Sequence, residues 1–285
     1  MTLDKVFEPL QDDMNAVDAE LKSLMEHVGS EMDPSRTRLG ILGGIVQHPF
    51  AVPGKRIRPA MVLLSYRALG ASADSDSLVS LAAAVEVLHA ASLVHDDVID
   101  GADSRRHQVS LNKRFGNRIA VLAGDILYTH FFTLITGLSR IDARKRFAML
   151  DVFLETTKAM CMGEIIAQEA RASARPLPFD LYKEIATDKT AVLFSACCRT
   201  AALLGEAAGD TVARLSGLGL DFGLTFQMID DVMDQDHGLE SAVDLRAKAL
   251  RHAQSAQEGI ASLPDTRYRK SLHDLLDYVI AQAIP

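Results

Sequence analysis

Two stretches of this chain repeat one pattern of charge on an apolar background. The first, Leu88-His89-Ala90-Ala91-Ser92-Leu93-Val94-His95-Asp96-Asp97-Val98-Ile99-Asp100, is an apolar, small-residue run ending in carboxylates at i, i+1 and i+4. On a helix i and i+4 share a face, so Asp96 and Asp100 project together, with Asp97 beside them. Charges of one sign so placed repel and weaken the helix unless a cation sits among them. Carboxylate oxygens on a rigid face suit Mg²⁺, which keeps several waters and bridges to phosphate groups. One such motif alone is as readily a solvated acidic helix end. The chain carries a second: Phe226-Gln227-Met228-Ile229-Asp230-Asp231-Val232-Met233-Asp234 sets Asp230, Asp231 and Asp234 at the same spacing after another apolar run.

Around the motifs the sequence reads as helix. Val6, Leu10, Met14, Val17, Leu21, Leu24 and Val28 recur at three- and four-residue intervals, an apolar stripe over Leu3 to Val28 that tolerates Pro9 only near its start. Further helices are predicted around Thr37–Val46, Ala60–Leu69, Leu78–Asp100, Ile119–Gly137, Arg140–Ala172, Phe179–Leu204, Thr211–Asp234, Leu239–Leu263 and Tyr268–Ala283. Strand-like alternation and Gly-rich nucleotide loops are absent, which predicts an all-α fold. With 48% hydrophobic residues a sizeable core is available, and a net charge of −8 argues against a nucleic-acid partner. Cys161, Cys197 and Cys198 lie in apolar helical runs without metal-ligand spacing, as reduced core residues of a cytoplasmic protein do. The acid-rich first helix is not a signal peptide, and no uninterrupted apolar run is long enough to be a transmembrane segment.

Cationic groups are concentrated at a few places. Pro53-Gly54-Lys55-Arg56-Ile57-Arg58-Pro59 stands where a helix begins, and free N–H groups and the helix dipole there add to the side-chain charge. Paired Arg105 and Arg106 follow the first acidic motif, suited to bidentate grip on phosphate oxygens. By themselves a basic loop, a helical His89 and the pair Lys189-Thr190 are more often a solvated loop, a core histidine and ordinary helix.

Taken together, the two DDxxD motifs, the Gly54-Lys55-Arg56-Ile57-Arg58-Pro59 cluster and Ala123-Gly124-Asp125-Ile126-Leu127 closely resemble the trans-isoprenyl diphosphate synthases, or polyprenyl synthetases. The resemblance covers nearly the whole chain. It implies one domain over 1–285 with the isoprenoid synthase fold, a helical bundle around a deep central cavity, with the acidic motifs on opposed helices. It also implies a homodimer, and Mg²⁺, three ions per site, on Asp96, Asp97, Asp100, Asp230, Asp231 and Asp234. Lys55 and Arg58, then Arg56, would bind isopentenyl diphosphate, with His89 and Arg106. Arg105, Lys189 and Thr190 would hold an allylic diphosphate, farnesyl or geranyl, with Gln227 one turn before the second motif. The catalytic set so implied is Asp96, Asp97, Asp100, Arg105, Lys189 and Asp230.

Departures from the family pattern are local. His107-Gln108 replaces the glycine that usually follows the paired arginines. Gln168 stands one residue late for a Gly-Glu-x-x-Gln motif that begins at Gly163-Glu164. After Asp234 the chain passes through Gln235–Gly238 directly to Leu239, so a Lys/Gly-rich loop of a few dozen residues is absent by comparison after about residue 236. In the family that loop supplies a lysine to the allylic diphosphate.

The implied reaction is head-to-tail prenyl transfer, and product length follows from what fills the cavity below the first motif. Ala91 and Ser92, five and four positions before Asp96, are small, where in the family aromatic residues stop growth early. They predict a long product, hexaprenyl to decaprenyl. Phe131 or Phe132 is a candidate cavity floor, although core packing is the commoner role for such residues. Alternatives are a geranylgeranyl- or farnesyl-length synthase and a non-catalytic subunit of a heteromeric synthase; a class I terpene cyclase typically lacks the second DDxxD and the cationic cluster. Peripheral membrane contact for product release is a further expectation.

Overall fold

A computed structural model of the chain describes residues 2–31, 42–52, 54–71, 75–173, 175–234, 239 and 244–283. In chain order the helices are α1 (Leu3–Phe7), α2 (Gln11–Glu31), α3 (Leu42–Gln47), α4 (Ile57–Ala68), α5 (Ser75–Ile99), α6 (Leu111–Phe115), α7 (Asn117–Thr136), α8 (Ala143–Ser173), α9 (Phe179–Ala186), α10 (Val192–Leu204), α11 (Gly209–Asp234), α12 (Leu245–Ala261) and α13 (Arg267–Ala281). The all-α expectation holds, and most predicted helices lie within a few residues of their place.

The differences have local causes. Pro9 divides the first predicted helix: Glu8–Leu10 is a single 3₁₀ turn between α1 and α2, with proline in its first turn, where no N–H is required. The predicted helix Phe179–Leu204 is interrupted by a π turn, Thr187–Ala191, which carries Lys189 and Thr190. The helix predicted from Thr37 lies outside the described residues up to position 41, and α3 supplies its remainder. Strand is confined, among the described residues, to a hairpin pairing Ser104 with Val109 and Arg105 with Gln108, besides a lone bridge between Leu177 and Leu239. Cys197 and Cys198 are buried, but Cys161 is exposed, on the outer face of α8, contrary to its expected place in the core.

The chain falls into two compact units. One comprises Met1–Gln11, Ala60–Leu78 and Ile141–Pro285. Its centre is the pairing of α10 with α11, made close by small residues. A Cβ on Gly219 would stand 2.4 Å from the Phe194 carbonyl oxygen, so only glycine lets the backbones approach this far. Phe194 packs on Phe222 and Phe226 with ring centres 5.2 and 5.5 Å apart. The last helices start on side-chain caps: Asp244 accepts from the Ala247 N–H and Thr266 from the Arg269 N–H.

The other unit comprises Asp12–Pro59 and Val79–Arg140. The apolar stripe of α2 (Met14, Val17, Leu21, Met25, Val28) is buried as predicted. The α5 run from Leu81 to Leu88 is buried on every side, which a hydrophobic helix requires and which obliges its one carboxylate, Glu86, to find a partner. Gly124 on α7 accommodates the His95 ring, and His95 Nε2 lies 3.1 Å from the Val121 carbonyl oxygen, stacked on Tyr128. By length and composition α5 and α7 would suffice to cross a membrane, although Glu86 and Asp125 interrupt them. In α5 most of the stretch is buried inside the protein, whereas α7 exposes Val121 and Leu122.

Candidate active site

In the second unit one face of α5 (Glu86, His89, Ala90, Leu93, Val94 and Asp97) lines a pocket closed by residues 48–52, Arg56 and the hairpin with Arg105 and Arg106. Its wall combines guanidinium and imidazole groups with the apolar side chains of Phe50, Val52, Leu93, Val94 and Leu111. Such a combination suits an anion attached to a short hydrocarbon.

The charged groups are held by specific pairs. Asp97, 4% exposed, accepts at Oδ1 from both Nε and Nη2 of Arg105, each at 2.7 Å. Arg58 Nη1 donates to His89 Nε2 at 3.0 Å, which puts the ring proton on Nδ1. Burial, then the charges of Arg58, Arg106, Arg105 and Arg56, hold the His89 imidazole well below its ordinary pKa, so it is neutral at pH 7. Arg106 is exposed and lies against Gly54, where a Cβ would come 2.5 Å from its Nη1. The glycine thus makes room for the guanidinium. Arg56 donates to Glu86 at 2.6 Å and to Asp18 at 3.1 Å, which commits its charge to the protein.

The departure at His107-Gln108 leaves the hairpin turn closed. Arg106 (φ 51°) and His107 (φ 63°) both adopt the left-handed conformation of a tight two-residue turn, normally a place for Asn or Gly. Gln108 then donates to His48 Nδ1 at 3.0 Å, while His48 Nε2 donates to the Val109 carbonyl at 2.8 Å. His48 and Gln108 tie the hairpin, and with it both arginines, to the loop before α4.

In the first unit the second motif ends α11. Asp231 accepts from Gln227 Nε2 at 2.9 Å and from the Tyr182 hydroxyl, and Thr190 Oγ1 donates to Gln227 Oε1 at 2.8 Å. Burial, then the Asp231 and Asp230 charges, push the Tyr182 phenol far above its ordinary pKa, so it acts as a donor. Lys189 pairs with Glu164 of α8, whose other oxygen accepts from Gln168 at 2.7 Å. The late position of Gln168 is what allows this bond, since i and i+4 share a helix face. Gly163 lets the π turn touch α8: a Cβ there would stand 2.7 Å from the Lys189 backbone nitrogen. Isolated π turns inside helices recur at functional sites, where they re-aim side chains.

Of the other predicted residues, Lys55, Asp100, Asp230 and Asp234 are exposed and Asp96 is half-buried. Ala91 and Phe131 are enclosed, Phe132 is half-buried, and Ser92 is half-buried with its hydroxyl bonded back to the His89 carbonyl. The place of the absent loop lies mostly outside the described residues. Glu86, His48, Gln108, Tyr182 and Glu164 had no predicted role. Glu86 alone carried a signal, as an isolated charge in an apolar run. Both acidic motifs offer only hard carboxylate oxygens, with His95 turned toward α7, and that donor chemistry fits Mg²⁺.

A sequence profile described as Polyprenyl synthetase matches residues 40–241. The chain belongs to this family of prenyltransferases. It is 30% identical to the octaprenyl diphosphate synthase of Escherichia coli (strain K12) over 234 residues, 82% of this chain and 67% of that protein. It is 33% identical to a geranylgeranyl diphosphate synthase of Methanosarcina mazei over 223 residues, 78% of this chain and 67% of that one. The match thus spans about two thirds of these relatives. A decaprenyl diphosphate synthase from Rhodobacter capsulatus superposes with a TM-score of 0.82 over 100% of both chains at 24% identity, which shows the isoprenoid synthase fold of the polyprenyl synthetases.

Proposed function

We propose that the protein condenses isopentenyl diphosphate with an allylic diphosphate, farnesyl or geranyl, to give a long-chain trans-polyprenyl diphosphate of hexaprenyl to decaprenyl length. The observation that carries this reading is the pocket beside the first acidic motif, lined by His89, Arg105 and Arg106 together with apolar side chains, with Arg58 bonded to His89 behind it. Family membership supports the reaction class, and the small Ala91 and Ser92 support the long product.

In the reaction the allylic C–O bond breaks with its electron pair leaving on the diphosphate. The isopentenyl double bond then attacks the allylic cation, and the new cation loses a proton to the diphosphate. Cationic side chains aimed at the leaving group stabilise the charge that develops there. Arg105, Lys189 and Thr190 are assigned to the allylic diphosphate, with Gln227; Lys55, Arg58, Arg106 and neutral His89 are assigned to isopentenyl diphosphate. Arg56, already paired with Glu86 and Asp18, acts by holding the pocket wall. The carboxylates of Asp96, Asp97, Asp100, Asp230, Asp231 and Asp234 would hold Mg²⁺, three ions per site, which supplies further positive charge to the diphosphate when bound. Phe50, Leu93 and Val94 keep water from the reacting carbons.

The whole chain, 1–285, is proposed as one catalytic domain acting in the cytoplasm as a homodimer. Exposed Val121 and Leu122 on α7, and exposed Phe147, Leu154 and Ile165 on α8, support a partner subunit or a peripheral membrane contact. The test is to incubate the purified protein with farnesyl diphosphate, isopentenyl diphosphate and Mg²⁺ and size the products. A long polyprenyl series supports the reading. A geranylgeranyl-sized stop overturns the chain-length assignment and keeps the chemistry. Turnover that requires a second polypeptide supports a subunit of a heteromeric synthase instead.

A further inference from the structure

We propose that Tyr182 is a positioning residue for the second acidic motif, fixing the Asp231 carboxylate through its hydroxyl; this rests on the reading of that motif as a Mg²⁺ site. Tyr182 is 5% exposed on α9, and its hydroxyl donates to Asp231 Oδ2. Gln227 donates to the other oxygen at 2.9 Å and is itself held by Thr190 on the π turn. Each oxygen of Asp231 therefore has a donor from a different side chain, and the carboxylate cannot turn about its terminal bond.

The nature of the donors matters as much as their number. A phenol and an amide are neutral, so they orient the carboxylate without cancelling its charge. Asp97 of the first motif is instead bound by an arginine, which neutralises it. A carboxylate oxygen has more than one acceptor site, so a hydrogen bond on each leaves room for a cation. A neutral hydrogen bond behind a metal-binding carboxylate is the usual means of fixing its direction.

Tyr182 is in turn held from behind. Its ring stacks on Phe179 with centres 6.2 Å apart and planes inclined by 30°, and Lys248 Nζ of α12 lies 4.0 Å from the Phe179 ring centre. The line Lys248, Phe179, Tyr182, Asp231 thus links α12 through α9 to the end of α11. Both aromatic side chains come from one turn of an eight-residue helix placed directly before the π turn that carries Lys189.

The test uses the full chain and Tyr182→Phe, which removes one oxygen and keeps the ring. Thermal stability is titrated with Mg²⁺ in the presence of inorganic diphosphate. The expected result is a rise of about 10-fold or more in the Mg²⁺ concentration giving half the stabilisation, the range seen when a metal ligand loses its supporting hydrogen bond. In turnover, kcat falls at fixed sub-saturating Mg²⁺ while KM for isopentenyl diphosphate stays unchanged. A half-saturating Mg²⁺ concentration within about twofold of the parent overturns the proposal. If Tyr182→Phe does not fold, Lys248→Met decides, because it loosens the same line one step back: a smaller shift in the same direction supports the proposal and an unchanged titration overturns it. A parent protein that shows no Mg²⁺ response overturns the metal reading itself, and the positioning role with it.

Discussion

Glu86 offers the most direct test of how the pocket wall is held. Its carboxylate is 6% exposed and accepts from Arg56 Nη1 at 2.6 Å, and the Arg56 side chain is itself only 12% exposed. Replacing Glu86 with alanine leaves a buried guanidinium without its main partner, a change that costs about 3–5 kcal/mol. Asp18 remains 3.1 Å from Arg56, but its side chain is 58% exposed. Water screens such a contact, so it offsets less than about 1 kcal/mol. The net expectation is a loss near the lower end, about 3 kcal/mol. For a chain of this size that lowers Tm by about 6–12 °C, at about 2–4 °C per kcal/mol. Asp18→Asn should lower it by no more than about 4 °C on the same scale. The double variant Arg56→Met with Glu86→Leu should return close to the parent, because apolar side chains of similar volume replace a buried pair at little cost. Thermal unfolding followed by circular dichroism measures all three. Equal losses for Glu86→Ala and Asp18→Asn would refute the argument, since it rests on the difference in burial between the two carboxylates.

Gly163→Ala forces a methyl group to within 2.7 Å of the Lys189 backbone nitrogen. A backbone atom cannot swing aside, so we expect a loss of about 1–3 kcal/mol in urea unfolding together with a higher KM for the allylic diphosphate; a normal KM would show that the π turn does not position Lys189. The pH dependence of stability carries a signature of His89, whose pKa is held well below 6.5 in the folded state by burial and then by Arg58, Arg106, Arg105 and Arg56. The unfolded chain then binds the extra proton first, so this contribution is present in full above pH 6.5 and is lost as the pH falls from there toward the folded pKa. His89→Asn should flatten that slope in urea unfolding below pH 6.5, and an unaltered slope would place its origin elsewhere. Ser92→Phe introduces an aromatic ring at a half-buried position, whereas the enclosed Ala91 has no room for one. It should shorten the product series read by chromatography, and unchanged products would remove Ser92 from the account of chain length.

The helices, the two acidic motifs and the clusters of basic residues could be read from the amino-acid sequence, because each is written within a few turns of chain. Apolar spacing determines which face of α2 is buried, and i, i+4 geometry determines which aspartates share a face. Proline and glycine mark the breaks. What the sequence left open was the partner of each charge. Arg56 stands in the same basic cluster as Arg58, yet one is committed to Glu86 and Asp18 while the other meets His89. The two middle aspartates occupy equivalent positions in identically spaced motifs, yet Asp97 is paired with an arginine and Asp231 is held by a tyrosine and a glutamine. The π turn within a uniformly helical stretch and the tight hairpin at Arg106-His107 were equally hidden. These choices join residues as much as 49 positions apart, as Tyr182 and Asp231 are. Side-chain pairs at that separation are selected by which helix faces pack together, a property of the assembled tertiary structure that no local spacing encodes.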